Sequence, residues 1–83
     1  MSTMEKQNFR GTVVRVEPNG FGIVQFDVPI GPSANTHGVF ALTLGSTGPY
    51  NQLKPGLHVV GEAKPELDTR KLATVETLRI LLP

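Results

Sequence analysis

Aromatic rings and arginine side chains are the groups through which this 83-residue chain could recognise a ligand. An aromatic ring can stack on a nucleobase, and a guanidinium can pair with a phosphate or stack on a base. Phe21 and Phe40 each have neighbours better suited to a core, so strand alternation predicts that both rings point outward. Arg15 is predicted to project near the same face. A binding role and an ordinary solvated arginine without one are equally supported there.

Further residues at predicted loops and strand ends could contact a phosphate or a base: Arg10, His37, Tyr50, Lys54, Arg70 and Lys71. Basic residues at such positions are more commonly ordinary solvated charges. His37 is predicted to lie in a flexible loop, where a histidine more often has no binding role. Tyr50 falls in a long predicted loop that would expose its ring.

Ile23 and Leu42 are predicted to share the outward face with Phe21 and Phe40. Four exposed apolar side chains are more typical of a protein-interaction surface than of a solvated sheet. The competing hypothesis is therefore a protein-interaction or self-associating module that uses this patch. If the register is shifted by one residue, the same side chains belong to the core instead.

Residue types for catalysis and metal binding are scarce or scattered. The chain has no cysteine, and His37 and His58 lie far apart without other ligands at metal spacing. The acidic residues fall mostly at turns or strand ends, and none is tied locally to a histidine or serine. Gly20 and Gly22 do not open a helix, so they form no phosphate-cradling loop. We expect no catalytic residue, no metal and no cofactor.

The charge balance alone favours no class of partner. Eight basic and seven acidic residues give a net charge of +1, less than a duplex-binding domain usually carries, although single-strand binding can rely on stacking. No apolar run is long enough for a transmembrane helix, and the first residues lack the apolar stretch of a signal peptide. We expect a cytoplasmic protein with a disordered tail over residues 1–7 and one domain over residues 8–83; the oligomeric state stays open.

Short β-branched runs between glycines and prolines predict an all-β domain, either a sandwich or a small barrel. The predicted strands cover residues 8–17, 21–28, 38–44, 57–65 and 71–81, with a loop over 29–37. The last segment is ambiguous, because Leu72, Val75 and Leu78 could also form a helical stripe. Its threonines favour a strand.

The first two predicted strands each contain a feature that indicates how the chain is oriented. Alternation in the second strand places Phe21 and Ile23 on one face and Val24 and Phe26 on the other. Gly11, inside the first strand, predicts a bulge or sharp bend of the kind that a small barrel needs to close.

Three motifs resemble those of known RNA-binding barrels. Asn19-Gly20-Phe21-Gly22-Ile23-Val24, preceded by Gly11-x-Val13-x-x-Val16, resembles the opening hairpin shared by cold-shock domains and the S-one-type repeats of ribosomal proteins. Residues 38–43 are similar to the second RNP motif of cold-shock domains, and residues 53–59 to the run that enters the fourth strand in both families.

The resemblance implies a five-stranded Greek-key OB-type barrel that binds single-stranded RNA or DNA without catalysis. It implies that Phe21 and Phe40 stack bases while basic residues at the rim hold phosphates. The chain also departs from the families' pattern. Ile23, Leu42 and Thr43 stand where the motifs have aromatic residues or histidine, and Arg15 stands where the first strand has tryptophan.

Overall fold

The described residues form an all-β fold of five strands. The structure, a computed structural model, describes residues 5–18, 20–41, 53–68 and 70–81. The strands are β1 (Gln7–Val16), β2 (Phe21–Ile30), β3 (Asn35–Ala41), β4 (His58–Lys64) and β5 (Ala73–Ile80). The ambiguous last segment is therefore a strand, as its threonines indicated. The described part of the chain contains no helix that could cross a membrane.

The five strands close into a barrel in the order β1-β2-β3-β5-β4. All neighbouring pairs are antiparallel except β3 and β5, which pair in parallel through Gly38 with Ala73 and Val39 with Thr74. This arrangement confirms the predicted five-stranded OB-type barrel. Closure leaves β1 beside both β2 and β4, so the first strand holds two sides of the barrel together.

The dual role of β1 depends on its curvature. Residues 7–12 pair with β4 and residues 11–16 pair with β2, so the two ladders overlap at Gly11 and Thr12. The predicted irregularity exists but lies further along the strand than Gly11: the register with β2 shifts between Val13 and Arg15. A bulge of this kind bends the strand and turns the following side chains to a new face.

The core is filled by residues that alternate along each strand. Phe9 of β1 and Phe26 of β2 pack with ring centroids 5.0 Å apart and rings tilted by 58°. Val24 is also fully buried, which confirms the predicted alternation of β2. The other buried apolar residues are Val13, Ile30, Phe40, Leu53, Val59, Ala63, Ala73, Val75 and Leu78.

The connection between β2 and β3 is much shorter than predicted. Residues 29–37 were expected to form a loop, but β2 extends to Ile30 and β3 begins at Asn35. Only four turn residues separate them, closed by the Ala34 N–H donating to the Gly31 carbonyl at 3.1 Å. The proline and glycine content of this segment suggested a loop, but long-range contacts keep its ends in the sheet.

Asn35 provides the clearest of these contacts. Its side chain is buried, and its Oδ1 accepts a hydrogen bond from the Glu66 N–H at 2.8 Å. The same turn is held from outside by the Ser33 hydroxyl, which donates to the Leu67 carbonyl at 2.8 Å. The β4–β5 connection is thus pinned to the β2–β3 turn at this end of the barrel.

Replacing Asn35 with alanine should therefore lower the free energy of unfolding by about 1–3 kcal/mol, because the Glu66 N–H loses its partner in a partly buried site. Urea unfolding followed by circular dichroism measures this change. Ser33→Ala is the matched control, since its bond is exposed and its loss should change stability by less than about 1 kcal/mol. Equal effects of the two variants would contradict the anchoring role of Asn35.

Candidate nucleic-acid interface

The outer surface of β1, β2, β3 and β5 forms one continuous face. Its central row runs across the strands as Arg15, Ile23, Val39 and Thr74, each the Cα partner of the next. Ile23 and Val39 are half-buried, while Arg15 and Thr74 are exposed. The row therefore places an apolar centre between two polar edges, and we refer to this surface as the β2–β3 face.

Phe21 lies at the start of β2 on this face, as predicted, and is 50% exposed. Its carbonyl accepts the N–H of Glu17 at 2.6 Å, and the Gly20 N–H donates to the Glu17 carbonyl at 3.0 Å. These bonds close the β1–β2 turn and fix where the ring emerges. Ala41 of β3 is its Cα partner, so the neighbouring strand presents only a small side chain beside the ring.

Phe40 does not lie on this face, which corrects the sequence prediction. It is 2% exposed and belongs to the core. Its partner across the ladder is Gly22, and a Cβ on Gly22 would overlap the tip of the Phe40 ring. The ring thus fills the space left by the missing side chain of Gly22. Val39, next to it, takes the outward position that the sequence prediction had assigned to Phe40.

Arg15 faces outward, but its charge is partly compensated. Its guanidinium lies 3.1 Å from Glu17 Oε1, and both side chains are well exposed to solvent. An exposed pair of this kind contributes at most about 1 kcal/mol and exchanges readily, so an incoming phosphate can compete for the arginine. Arg15 remains available as a contact, with a carboxylate beside it that lowers the local positive potential.

Lys54 lies in a turn that is docked on β1. The Gly56 N–H donates to the Val13 carbonyl at 2.8 Å, and the Val13 N–H donates to the Leu57 carbonyl at 2.8 Å. Lys54 is exposed in that turn, and its carbonyl accepts the Leu57 N–H at 3.3 Å. Its position close to Val13 puts the lysine near the β1 edge of the β2–β3 face.

His37 is a strand residue and not the loop residue that was predicted. It lies in β3 as the partner of Gln25 and is half-buried. Its Nδ1 lies 2.8 Å from the Thr36 hydroxyl. A small cavity of about 130 Å³ joins His37 and Thr36 to Lys71 and Leu72 before β5. His37 and Lys71 are therefore neighbours at the β5 edge of the face.

Arg70 has its own acidic partner. Its Nε lies 3.2 Å from Asp68 Oδ1, and its backbone N–H donates to the same oxygen at 2.9 Å. Hydrogen bonds from the side chain and the backbone of Arg70 lower the pKa of the Asp68 carboxyl below its ordinary value, with a further contribution from the charge of Lys71. Of the two basic residues in this turn, Lys71 is the one without a carboxylate held against it in the described structure.

Arg10 is not brought to the β2–β3 face. It is the Cα partner of Val60 in β4, on the part of the barrel formed by β1, β4 and β5. Tyr50 and Leu42 lie outside the described residues. The face therefore unites Arg15, Phe21, Ile23 and His37, with Lys54 at its edge.

Val39 and Thr74 are the members of this face that sequence analysis missed. The signal for Val39 was Gly38, because a glycine inside a strand marks a place where another residue approaches closely. A Cβ on Gly38 would lie 2.7 Å from the tip of the Phe26 ring, so Gly38 points inward. Alternation from Gly38 places Val39 outward and Phe40 inward.

Comparison with known protein families and with curated proteins finds no match. Within the described ranges, no three histidine, aspartate or glutamate side chains come close enough together to hold a metal ion. The β2–β3 face presents one exposed ring, an apolar strip and cationic edges.

Proposed function

We propose that the protein binds single-stranded nucleic acid, and RNA in particular, on the β2–β3 face in the cytoplasm. OB-type barrels bind oligonucleotides on the outer surface of strands two and three. The similarity of the hairpin around Phe21 to cold-shock and S-one-type domains supports the same choice of ligand. The supporting observation is the position of Phe21, half-exposed at the start of β2 beside the apolar centre of that face.

Stacking on Phe21 would contribute most of the contact with a base. A stacked base is worth roughly 1–3 kcal/mol, and Ile23 and Val39 extend the apolar surface against which a neighbouring base can pack. Arg15, Lys54 and Lys71 lie at the edges, where phosphates would run. With one exposed ring on the face within the described residues, we expect modest affinity, weak sequence preference and strong dependence on salt.

Replacing Phe21 with alanine should weaken binding of a fluorescein-labelled oligouridylate by about 5- to 150-fold, the equivalent of one lost stack. Fluorescence anisotropy at low and moderate salt measures the change. Phe21→Leu should lose nearly as much, because it keeps apolar bulk without a ring, whereas Phe21→Trp should retain binding. Urea unfolding should show that all three variants fold.

The absence of oligonucleotide binding by the unmodified protein at low salt, where phosphate attraction is strongest, would reject the proposal. Equal binding by the alanine and tryptophan variants would reject the role of Phe21 while leaving another binding face open. An NMR titration locates that face, since the proposal requires shifts concentrated in β2 and β3.

A second candidate function is protein interaction through the same face. It is favoured by the ion pair between Arg15 and Glu17, which reduces the attraction for phosphate. It is also favoured by three apolar residues on the same outer surface: Phe21, Ile23 and Val39. Light scattering measures the oligomeric state and so distinguishes self-association through this face from nucleic-acid binding. A dimer that dissociates on Ile23→Glu would support this candidate, and a monomer that binds oligouridylate would support the first.

A further inference from the structure

A second concave surface lies on the other side of the barrel. The β1–β2 ladder ends at Gly11 and Phe26, and just after β2 the Gly31 N–H donates to Gln7 Oε1 at 3.3 Å. Between these points the end of β2 leaves β1. It forms one wall of a groove of about 1130 Å³, whose floor is the outer surface of β1, β4 and β5. We call this the β1–β4 groove.

The floor of the groove carries two arginines in one row. Arg10 of β1 and Arg79 of β5 are both Cα partners of Val60 in β4, so their side chains flank one half-buried valine. Both are exposed, and neither guanidinium forms an ion pair with any residue that the structure describes. The other two arginines of the chain are paired, Arg15 with Glu17 and Arg70 with Asp68.

The acidic residues of the groove lie outside this row. Glu62 lies 4.0 Å from the ammonium of Lys6, and its backbone N–H donates to the Thr77 hydroxyl at 3.1 Å. Asp27 lies on the opposite wall, in the end of β2. The floor around Arg10 and Arg79 is therefore suited to an anionic group, while the wall that carries Asp27 is not.

The edge of β1 in the groove offers main-chain hydrogen bonds. The N–H and C=O groups of Val13 both point to the side of β4, through their bonds with Leu57 and Gly56. Main-chain groups alternate sides along a strand, so those of Asn8 and Arg10 point toward the groove. The ladder with β2 ends where Gly11 pairs with Phe26, so the N–H and C=O groups of Asn8 lie beyond it.

The groove also offers apolar surface without an exposed ring. Val28 on the wall is 71% exposed, and Leu81 at the far end of the floor is exposed as well. Phe9 borders the groove through its backbone, but its side chain is buried in the core. Bases need a ring or planar group on which to stack, whereas an extended peptide uses strand edges and aliphatic pockets.

We propose that the β1–β4 groove binds an extended acidic segment of a partner protein. The segment would pair with the open edge of β1 at Asn8 and place a carboxylate against Arg10, with the positive charge of Arg79 beyond Val60. Its other side chains would be apolar and would contact Val28 on the wall. Charge complementarity to the two arginines selects an acidic segment, and the open strand edge selects a peptide over a nucleic acid.

The test uses a fluorescein-labelled, capped hexapeptide of alternating glutamate and valine, with the lysine–valine peptide as the charge-reversed probe. We expect the acidic peptide to bind the full chain and the basic one not to bind. Arg10→Gln combined with Arg79→Gln should weaken binding of the acidic peptide by about tenfold, because both positive charges of the row are lost. Arg70→Gln removes an arginine elsewhere and should leave this binding unchanged.

The two proposed faces can be tested separately. Phe21→Ala should leave binding of the acidic peptide unchanged, and the arginine double variant should retain oligouridylate binding to within about threefold. Absence of acidic-peptide binding, or equal binding by the double variant, would overturn the proposal. So would a large loss of oligouridylate binding in the double variant, since the groove would then be part of the nucleic-acid path.

Discussion

Replacing Phe40 with alanine should lower the free energy of unfolding by about 3–5 kcal/mol, the usual cost of removing a buried phenylalanine side chain. The ring is 2% exposed and packs over Gly22, so its removal leaves a cavity between β2 and β3. Urea unfolding followed by circular dichroism measures the change. Such a loss is a large fraction of the total stability of a small domain, so we expect a substantial unfolded population at about 37 °C.

Phe40→Leu is the matched variant, because leucine keeps most of the buried volume and should cost less than the alanine. Phe21→Ala is the opposite control, expected to change stability by less than about 1 kcal/mol while it weakens oligouridylate binding. The two phenylalanines should therefore separate stability from affinity. A stable Phe40→Ala variant with weakened binding would show that the ring lies on the surface, contrary to the structure.

Replacing Gly61 with alanine should cost at least about 3 kcal/mol, because the added methyl group meets backbone and not a movable side chain. A Cβ on Gly61 would overlap the Thr77 carbonyl oxygen, and it would lie 2.8 Å from the Thr77 carbonyl carbon and 3.1 Å from the Leu78 Cα. Relief requires β4 and β5 to separate, which breaks their ladder. Thermal unfolding monitored by circular dichroism would show a large drop in Tm or no folded state.

Gly56 provides the comparison for this prediction. It has a φ of 96°, but a Cβ there would meet no atom within 4 Å. Gly56→Ala should therefore cost only about 1–2 kcal/mol, the strain of left-handed backbone for a residue with a side chain. If Gly56→Ala proved as destabilising as Gly61→Ala, backbone strain rather than the close approach of β4 and β5 would be the larger effect.

The strands whose alternation is local and strong could be predicted from the sequence. In β2, Val24 and Phe26 point inward, as expected, because the polar Gln25 separates them, and alternation from these two places Phe21 outward. β3 has no such contrast: Val39, Phe40 and Ala41 are all apolar. Its register is set by contacts across the barrel, above all Phe40 over Gly22, and a single strand does not contain that information.

The candidate site was partly predictable for the same reason. Phe21 and Ile23 follow from the pattern of one strand. Arg15 faces outward because of the shift in register after Val13, since strict alternation from buried Val13 would turn it inward. The location of Arg10 depends on which neighbour that half of β1 pairs with, and this is decided only when the barrel closes.

The double pairing of β1 also bears on the time at which the barrel can form. The first of the five strands to be synthesised needs β4 as a partner, with Gln7 opposite Ala63. In the described structure, β3 pairs with β5 through Gly38 and Val39. Contacts between residues so far apart in sequence make folding slow compared with that of helical domains of equal length. During synthesis, the β1–β2–β3 meander would keep the edges of β1 and β3 unpaired until β4 and β5 have been synthesised.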